Sequence, residues 1–239
     1  MRSANSLSTQ DINPRIVRTA GLLAVAGGLV NAFSDYLLQG GVFARAAVNT
    51  YANLSEAPYD LVALGSIIGN AALPLWLLGF LPLYIALAPA GRWFAIPPVV
   101  CLGYVFTLFP GYHGSYALYA AGFQAARTPT PETTAVLGTM TTRMQDYHDM
   151  MMSLIGVFSV TGSILLLVAI LTGRTLFSRW MVLLTPIVVP LTQPFVEMLP
   201  APVGGLIRPA WGTLLFSALF LAATVVTWTR RPAGNATPV

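Results

Sequence analysis

Five ionisable side chains stand inside or beside long apolar stretches of this sequence: Asp35, His113, His148, Asp149 and Glu197. Carboxylates and imidazoles are the groups that most often transfer protons in enzymes, and histidine titrates near neutral pH. Ionisable groups are expensive in an apolar environment and usually face an internal cavity. These five residues are therefore the candidate acid–base catalysts.

The two histidines lie in distinct local patterns. His113 follows Pro110 and is flanked by glycines, which predicts a locally opened helix that a bulky ligand can approach. His148 precedes Asp149 at the predicted start of a helix, where acidic residues also favour the helix dipole. The functional interpretation is a His–carboxylate pair completed by His113. The alternative is that each imidazole is satisfied by a neighbouring carbonyl or carboxylate.

Metal and haem sites are open alternatives for the same residues. Two histidines with Asp149, Asp35 or Glu197 would suit Zn²⁺ or Fe²⁺, although no HxxxH or HExxH spacing is present. His113 and His148 together could ligate a haem. One helical face carries soft ligands that would suit Cu(I): Met140, Met144, His148 and Met151. The cofactor is unknown at this stage.

Three prolines at intervals of four residues, Pro186, Pro190 and Pro194, precede Glu197. Each removes a backbone hydrogen bond, so this helix is expected to bend or to line a cavity. Gln193 shares a helical face with Glu197, whose desolvated carboxylic acid could serve as a general acid.

Further polar and aromatic side chains are expected at the same depth as the five ionisable ones. Counted from the inner ends of their helices, these groups lie about 17 to 24 residues away, or some 25–35 Å. The predicted layer would form a cup above an apolar floor, although an interfacial aromatic belt would look similar. Arg208 could pair with Glu197 or receive an anionic head group. The candidate substrate-binding residues are Asn31, Asn70, Trp76, Tyr112, Tyr116, Tyr147, Gln193, Arg208 and Trp211.

The composition indicates what positions these groups. Of 239 residues, 56% are hydrophobic and 8% are charged, against about a quarter charged in a soluble domain. Soluble enzymes, nucleic-acid modules and disordered tails are therefore excluded. The chain has no lysine, so a Schiff base with retinal or pyridoxal phosphate is excluded as well.

The hydropathy pattern predicts an all-α polytopic membrane bundle with about six transmembrane helices, and a seventh is conceivable. The expected domains are a cytoplasmic N-terminal segment at 1–16, one transmembrane domain at 17–229 and a disordered cytoplasmic tail at 230–239. The third apolar stretch is too long for one crossing and is expected to kink or to continue beyond the bilayer. The predicted spans cover residues 17–38, 61–88, 93–126, 147–171, 180–199 and 207–228.

The charges predict an orientation. With a cytoplasmic N-terminus, eight arginines fall on the inner side and four on the other, which favours both termini inside. Seven of the eight acids fall at or beyond the outer helix ends, and only Asp11 is inner. The basic pI of about 9.5 is thus an orientation signal, not a nucleic-acid patch. We expect a multi-pass protein of a bacterial inner membrane, of unknown oligomeric state.

Two stretches carry a family resemblance, residues 21–40 (GLLAVAGGLVNAFSDYLLQG) and 64–88 (LGSIIGNAALPLWLLGFLPLYIALA), together with the later tyrosine–histidine segment. They resemble a group of uncharacterised bacterial multi-pass membrane proteins, which implies a multi-helix membrane fold but does not indicate which activity the chain has. In size and architecture the chain is also similar to small membrane-bound terpene cyclases. The Asn31–Asp35 spacing resembles prenyltransferases of the UbiA type, whose second aspartate-rich motif is missing here.

The function expected from these features is that of a membrane enzyme. It would act on a lipid or isoprenoid by acid–base chemistry, in the manner of a cyclase or isomerase, near the outer helix ends. The alternative is a non-enzymatic protein, such as a small transporter, a sensor or a metal- or haem-binding protein. Transport would require a polar path to the cytoplasmic side, for which Ser159, Thr161 and Thr172 are weak candidates.

Overall fold

The structure is a computed structural model that describes residues 12–39, 54, 57–126, 130–200 and 202–228. In this part of the chain the regular elements are all helical. Short 3₁₀ turns at Ala88–Ala90, Arg179–Leu184 and Arg208–Ala210 connect or extend the α-helices. The α-helices are α1 (Pro14–Leu38), α2 (Tyr59–Leu77), α3 (Phe80–Leu87), α4 (Arg92–Ala125), α5 (Pro131–Leu171), α6 (Val188–Glu197), α7 (Val203–Ile207) and α8 (Trp211–Trp228).

Within the described residues, five helical segments are long and apolar enough to cross a membrane. This confirms the prediction of a helical membrane protein. The third predicted span is the continuous helix α4, which at 34 residues is about 51 Å long and so continues beyond a hydrocarbon core of about 30 Å. The five segments are Pro14–Leu38, Tyr59–Ala90, Arg92–Ala125, Thr133–Leu171 and Val203–Trp228.

Helix α5 differs from the prediction at its beginning. It starts at Pro131 and not near residue 147, so residues 131–146 form its first part. Thr130 caps it through a reciprocal capping box with Thr133, and proline at the first position suits a helix start. His148 and Asp149 consequently lie in the middle of a helix. The dipole explanation for their acidic neighbourhood therefore does not apply.

Residues 180–199 do not form the single helix that the sequence predicts. A 3₁₀ helix at Arg179–Leu184 ends at the extended residue Thr185, and the ten-residue α6 follows. Pro186 supplies no backbone N–H and disfavours a helical conformation of the preceding Thr185, which explains the break, whereas Pro190 and Pro194 lie within α6. The segment still runs from one end of the bundle to the other. Leu176 donates to the carbonyl of Ala86, and the carbonyl of Val196 accepts from Arg208.

The helix ends define two ends of the bundle. Arg18, at the start of α1, donates to the carbonyl of Trp228 at the end of α8, at 2.5 and 3.0 Å. The first and last described helices therefore begin and end together. We name this the arginine end, since it also carries Arg15, Arg92, Arg174 and Arg179, and we name the opposite end, with Asp35, Asp60, Asp146, Asp149 and Glu197, the acidic end.

Glycines bring α1 and α2 into close contact. A Cβ on Gly27 would lie 2.8 Å from the Trp76 amide nitrogen, and one on Gly65 would lie 2.8 Å from Leu37. Small residues allow membrane helices to approach at backbone distance. The order of packing is α8, α1, α2, α4 and α5, with α3 inserted between α4 and α8.

An aromatic cluster fills the bundle between the acidic and arginine ends. Its rings contact one another at centroid distances of 4.5 to 6.4 Å, and the Trp76 and Phe106 side chains are completely buried. Edge-to-face and offset contacts of this kind add to the energy of apolar burial. We call this cluster the aromatic floor; it consists of Trp76, Phe80, Phe106, Phe109, Phe216 and Phe220.

Several predictions concern residues outside the described part. They include most of the N-terminal segment 1–16 and the tail 230–239. The same holds for part of the charge map: Arg2, Asp11, Arg45, Glu56, Arg127, Arg230, Arg231 and the side chain of Glu132.

Candidate functional site

A cavity of about 580 Å³ lies above the aromatic floor, towards the acidic end. Helices α4 and α5 form one wall, and α1 with the beginning of α8 forms the other. Trp76 lies at its base, and residues 186–193 lie at its front. Its size is that of a typical small-molecule pocket. The predicted residues that line it are Asp35, Trp76, Tyr112, His113, Tyr116, Gln193, Arg208 and Trp211.

The carboxylate of Asp35 is the central polar group of this cavity. Its Oδ2 accepts a hydrogen bond of 2.6 Å from Thr213 of α8, and its Oδ1 lies 3.6 Å from Nε2 of His113 in α4. Its side chain is 12% exposed. Three helices thus converge on one carboxylate, which can accept, hold and return a proton at the cavity wall.

His113 is held by the helix packed behind it. Ser66 of α2 donates to the backbone carbonyl of His113 at 2.8 Å. A Cβ on Gly69 would lie within 3.0 Å of both Nδ1 of His113 and Oγ of Ser34, so only glycine leaves room for the ring. Ser34 itself donates to the carbonyl of Gly65. Contact with α2 therefore directs Nε2 of the imidazole towards Asp35.

His148 lies behind the cavity wall, among tyrosines. Its Nδ1 is 2.9 Å from Oγ of Ser115, which donates to the carbonyl of Tyr112. Because the serine proton is used in that bond, Nδ1 of His148 is the donor in this pair. The Tyr112 ring contacts both imidazoles, with centroids 4.6 Å from His148 and 5.8 Å from His113. Its hydroxyl is hydrogen-bonded to that of Tyr116 at 2.7 Å.

Three further predicted residues are packed between the helices. Asn31 is buried, and its Nδ2 has no hydrogen-bond partner among the described residues. The same holds for Oδ1 of Asn70 and Nε1 of Trp76. Asn31 and Asn70 do not line the cavity, whereas Trp76 does. A Cβ on Gly28 would lie within 3.0 Å of Nε1 of Trp76, which shows how tightly α1 covers the indole.

Arg208 bonds to backbone carbonyls, and no ion pair with Glu197 is present among the described residues. Its Nε donates to the carbonyl of Val196 at 3.0 Å, and its Nη2 donates to the carbonyl of Leu199. It therefore caps the C-terminal end of α6, where carbonyls lack helical partners. Glu197 is exposed and accepts a 3.0 Å hydrogen bond from Gln193. Gln193 lines the cavity, and Glu197 does not.

Two of the remaining predicted residues, Tyr147 and Asp149, lie on the outside. Tyr147 is 45% exposed, and Asp149, two positions further along α5, is exposed as well. Trp211 lines the cavity and donates from Nε1 to Oγ1 of Thr192 at 2.8 Å, which ties α8 to α6. Among the described residues, no three His, Cys, Asp or Glu side chains come close enough to hold a metal ion together.

Sequence reasoning missed the hydroxyl groups that complete the site. Thr213 stands 178 positions from Asp35, and Ser66 stands 47 positions from His113. Neither has a spacing pattern that would indicate its partner. The one available signal is that Thr213 lies two positions after Trp211, in a stretch already placed at the depth of Asp35.

The chain belongs to a protein family of unknown function, DUF6796, whose family model matches residues 6–229. This confirms the resemblance to an uncharacterised family. No curated protein and no solved structure matches the chain.

Proposed function

We propose that the protein is a membrane-embedded enzyme that transfers a proton to or from a lipid or isoprenoid held in the cavity. Asp35 is the acid–base group, and His113 is its partner. The observation that carries the proposal is the position of one carboxylate, bonded to Thr213 and adjacent to His113, in the wall of an otherwise mainly apolar cavity.

The chemistry follows from the two oxygens of Asp35. Oδ2 is engaged by Thr213, so Oδ1 is the oxygen that exchanges the proton. In its acid form Asp35 gives this proton to a C=C or C=O group of the substrate. The carboxylate that remains keeps the hydrogen bond from Thr213, and the imidazole of His113, with Nε2 at 3.6 Å, lies next to its charge. The acid is restored when the substrate cation loses a proton from another carbon, or when a water molecule adds its oxygen to the cation and passes its proton to Asp35.

The surroundings favour a pocket with one opening over a transport path. Phe109 and Phe216 line the cavity and belong to the aromatic floor, which separates Asp35 from the arginine end. Such rings accommodate a hydrocarbon chain from the membrane without burying an unpaired polar group. The same floor opposes the passage of an ion or a polar solute.

We also infer that the arginine end faces the cytoplasm of a bacterial cell and that the cavity lies towards the outer leaflet. Five described arginines lie at the arginine end and two, Arg143 and Arg208, lie towards the acidic end. This is the asymmetry that orients membrane proteins with their positive side inwards.

Deuterium incorporation tests the proposal across a whole lipid mixture, so the substrate need not be identified first. Purified protein is incubated in D₂O with liposomes made from the total lipid extract of the expression host and from added squalene. The lipids are then analysed by liquid chromatography and mass spectrometry. We expect a lipid or isoprenoid product that carries deuterium and is formed by the wild type but not by Asp35→Asn, which keeps the acceptor for Thr213 and lacks the acid.

Glu197→Gln is the matched control, because Glu197 is exposed and outside the cavity. It should form the product at the wild-type rate, and His113→Gln should be at least about tenfold slower. Equal product from folded Asp35→Asn and wild type would overturn the proposal. So would unchanged lipids with every variant, which would assign the cavity to binding without catalysis.

A further inference from the structure

We propose that the occupant of the cavity is a single-chain amphiphile with an uncharged head group and that it is taken up sideways, through the seam between α5 and α6. This inference rests on the proposed function for the role of the site. It adds the direction of uptake and the class of head group.

The seam exists because α6 is attached to one wall of the cavity only. Thr192 of α6 accepts from Trp211, and Val196 of α6 accepts from Arg208, so α6 is tied to the start of α8. Among the described residues no hydrogen bond joins α6 to residues 150–171 of α5, and the two helices pack sparsely. The proline-broken backbone before α6 keeps it from the parallel packing that a full-length helix would make.

Side chains along the seam line the cavity and are exposed at the same time. Met152 is 44% exposed and Val160 is 39% exposed, although both belong to the cavity wall. Gly156 lies between them, and a Cβ built on it would meet no atom within 4 Å. Pro190 is the exposed residue on the opposite side, in α6. The cavity is therefore open laterally at these four residues.

The depth of the seam fits a lipid tail. Gly156 lies about 22 Å from Leu171, the end of α5 at the arginine end, whereas Asp35 lies about 31 Å from Pro14. The seam thus opens within a hydrocarbon core of about 30 Å, and Asp35 stands at its boundary. A head group next to Asp35 and a tail that leaves through the seam would keep the normal orientation of an outer-leaflet amphiphile.

The charges in the part of the cavity towards the acidic end favour an uncharged head group. Asp35 becomes a carboxylate when it gives up its proton, and a phosphate beside it would oppose this step, because two anions in a water-poor cavity repel each other strongly. The guanidinium of Arg208 is the cation that lines the described cavity, and it is bonded to the carbonyls of Val196 and Leu199. A hydroxyl or carbonyl head group can hydrogen-bond to Asp35 without this repulsion.

Photolabelling in nanodiscs tests both parts. The probes are a long-chain alcohol with a diazirine next to the hydroxyl and the alkyl phosphate of the same chain. Labelled positions are read by peptide mass spectrometry at residues that face the cavity interior, Trp76, Thr213 and Phe216. We expect the alcohol to label them at least about fivefold more than the phosphate, and unlabelled alcohol to compete.

Gly156→Trp should reduce this interior labelling by at least about fivefold, because the indole fills the seam. Gly138→Trp is the matched control, since Gly138 is in the same helix, has equal open space and lies outside the cavity. Val160→Trp is a second seam variant, in case the first does not fold. Equal labelling in the folded seam variants and the control overturns lateral uptake, and equal labelling by the phosphate overturns the uncharged head group.

This readout does not depend on turnover. Asp35→Asn should be labelled like the wild type even when it forms no product. Interior labelling in a protein that forms no deuterated product would therefore contradict the proposed function and leave the uptake route standing.

Discussion

Thr213 donates a hydrogen bond of 2.6 Å to Oδ2 of Asp35 and so joins the first and last described helices at the cavity wall. The bond fixes which edge of the carboxylate faces His113. A hydroxyl bonded to a carboxylate that is largely removed from water is among the stronger side-chain hydrogen bonds. Its loss should affect both the position of the carboxylate and the stability of the α1–α8 contact.

Thr213→Val keeps the shape of the side chain and removes the donor. We expect deuterium incorporation to fall at least tenfold and the free energy of unfolding to fall by about 1.5–3 kcal/mol. Thr213→Ser, which keeps the hydroxyl, should remain within about threefold of the wild-type rate. Initial rates and denaturant unfolding in detergent measure the two effects. Similar rates for the valine and serine variants would show that the bond does not position Asp35.

Gly69→Ala should displace His113. The new Cβ would lie within 3.0 Å of Nδ1 of the imidazole and of Oγ of Ser34, in a region without space to relax. Overpacking of this kind costs about 1–3 kcal/mol. Gly103→Ala, on α4, is the control because a Cβ there meets nothing within 4 Å. Equal thermal midpoints for the two variants would contradict the tight contact between α2 and His113.

Arg208→Gln should destabilise the protein, because the carbonyls of Val196 and Leu199 lose their charged donor. We expect a loss of about 1–3 kcal/mol in the free energy of unfolding. Glu197→Gln should change the stability by less than about 0.5 kcal/mol, as expected for an exposed residue. A double-mutant cycle distinguishes the contact with the carbonyls from an ion pair with Glu197. A coupling energy above about 1 kcal/mol between Arg208 and Glu197 would support the ion pair that the sequence suggested.

The inferred orientation can be tested with single cysteines in a Cys101→Ala background. Arg143→Cys lies towards the acidic end and Arg174→Cys lies at the arginine end. A membrane-impermeant maleimide should label Arg143→Cys in intact spheroplasts and Arg174→Cys only after lysis. The reverse pattern would place the cavity towards the cytoplasmic leaflet.

Hydropathy and charge are sufficient to predict the helical membrane fold and the pair at the centre of the site. Asp35 and His113 are recognisable because each is an ionisable residue within an apolar stretch. Their meeting at 3.6 Å depends on contacts between three helices, however, and these have no local signature. Thr213 and Gly69, which set the geometry of the pair, carry no such signal.

The errors have physical causes that can be named. Proline counts little against a span in a hydropathy average, so the sequence predicts one helix over residues 180–199 although Pro186 interrupts the backbone. The predicted start of α5 is too late because hydropathy detects only the apolar part of a helix. The first residues of α5 are polar, and the helix therefore begins before the apolar region does. Glu197 is assigned to the site from its depth and its apolar context, and neither indicates which face of a helix points into the cavity.

The aromatic floor also determines from which side of the membrane Asp35 would regain a proton. The buried rings of Trp76, Phe106 and Phe220 lie between this carboxylate and the arginine end. They leave no path for water through this part of the bundle. Asp35 would then equilibrate with the solution on one face of the membrane only. Its reaction would neither draw on an electrochemical proton gradient nor dissipate one, and an uncoupler should leave the rate unchanged in sealed vesicles.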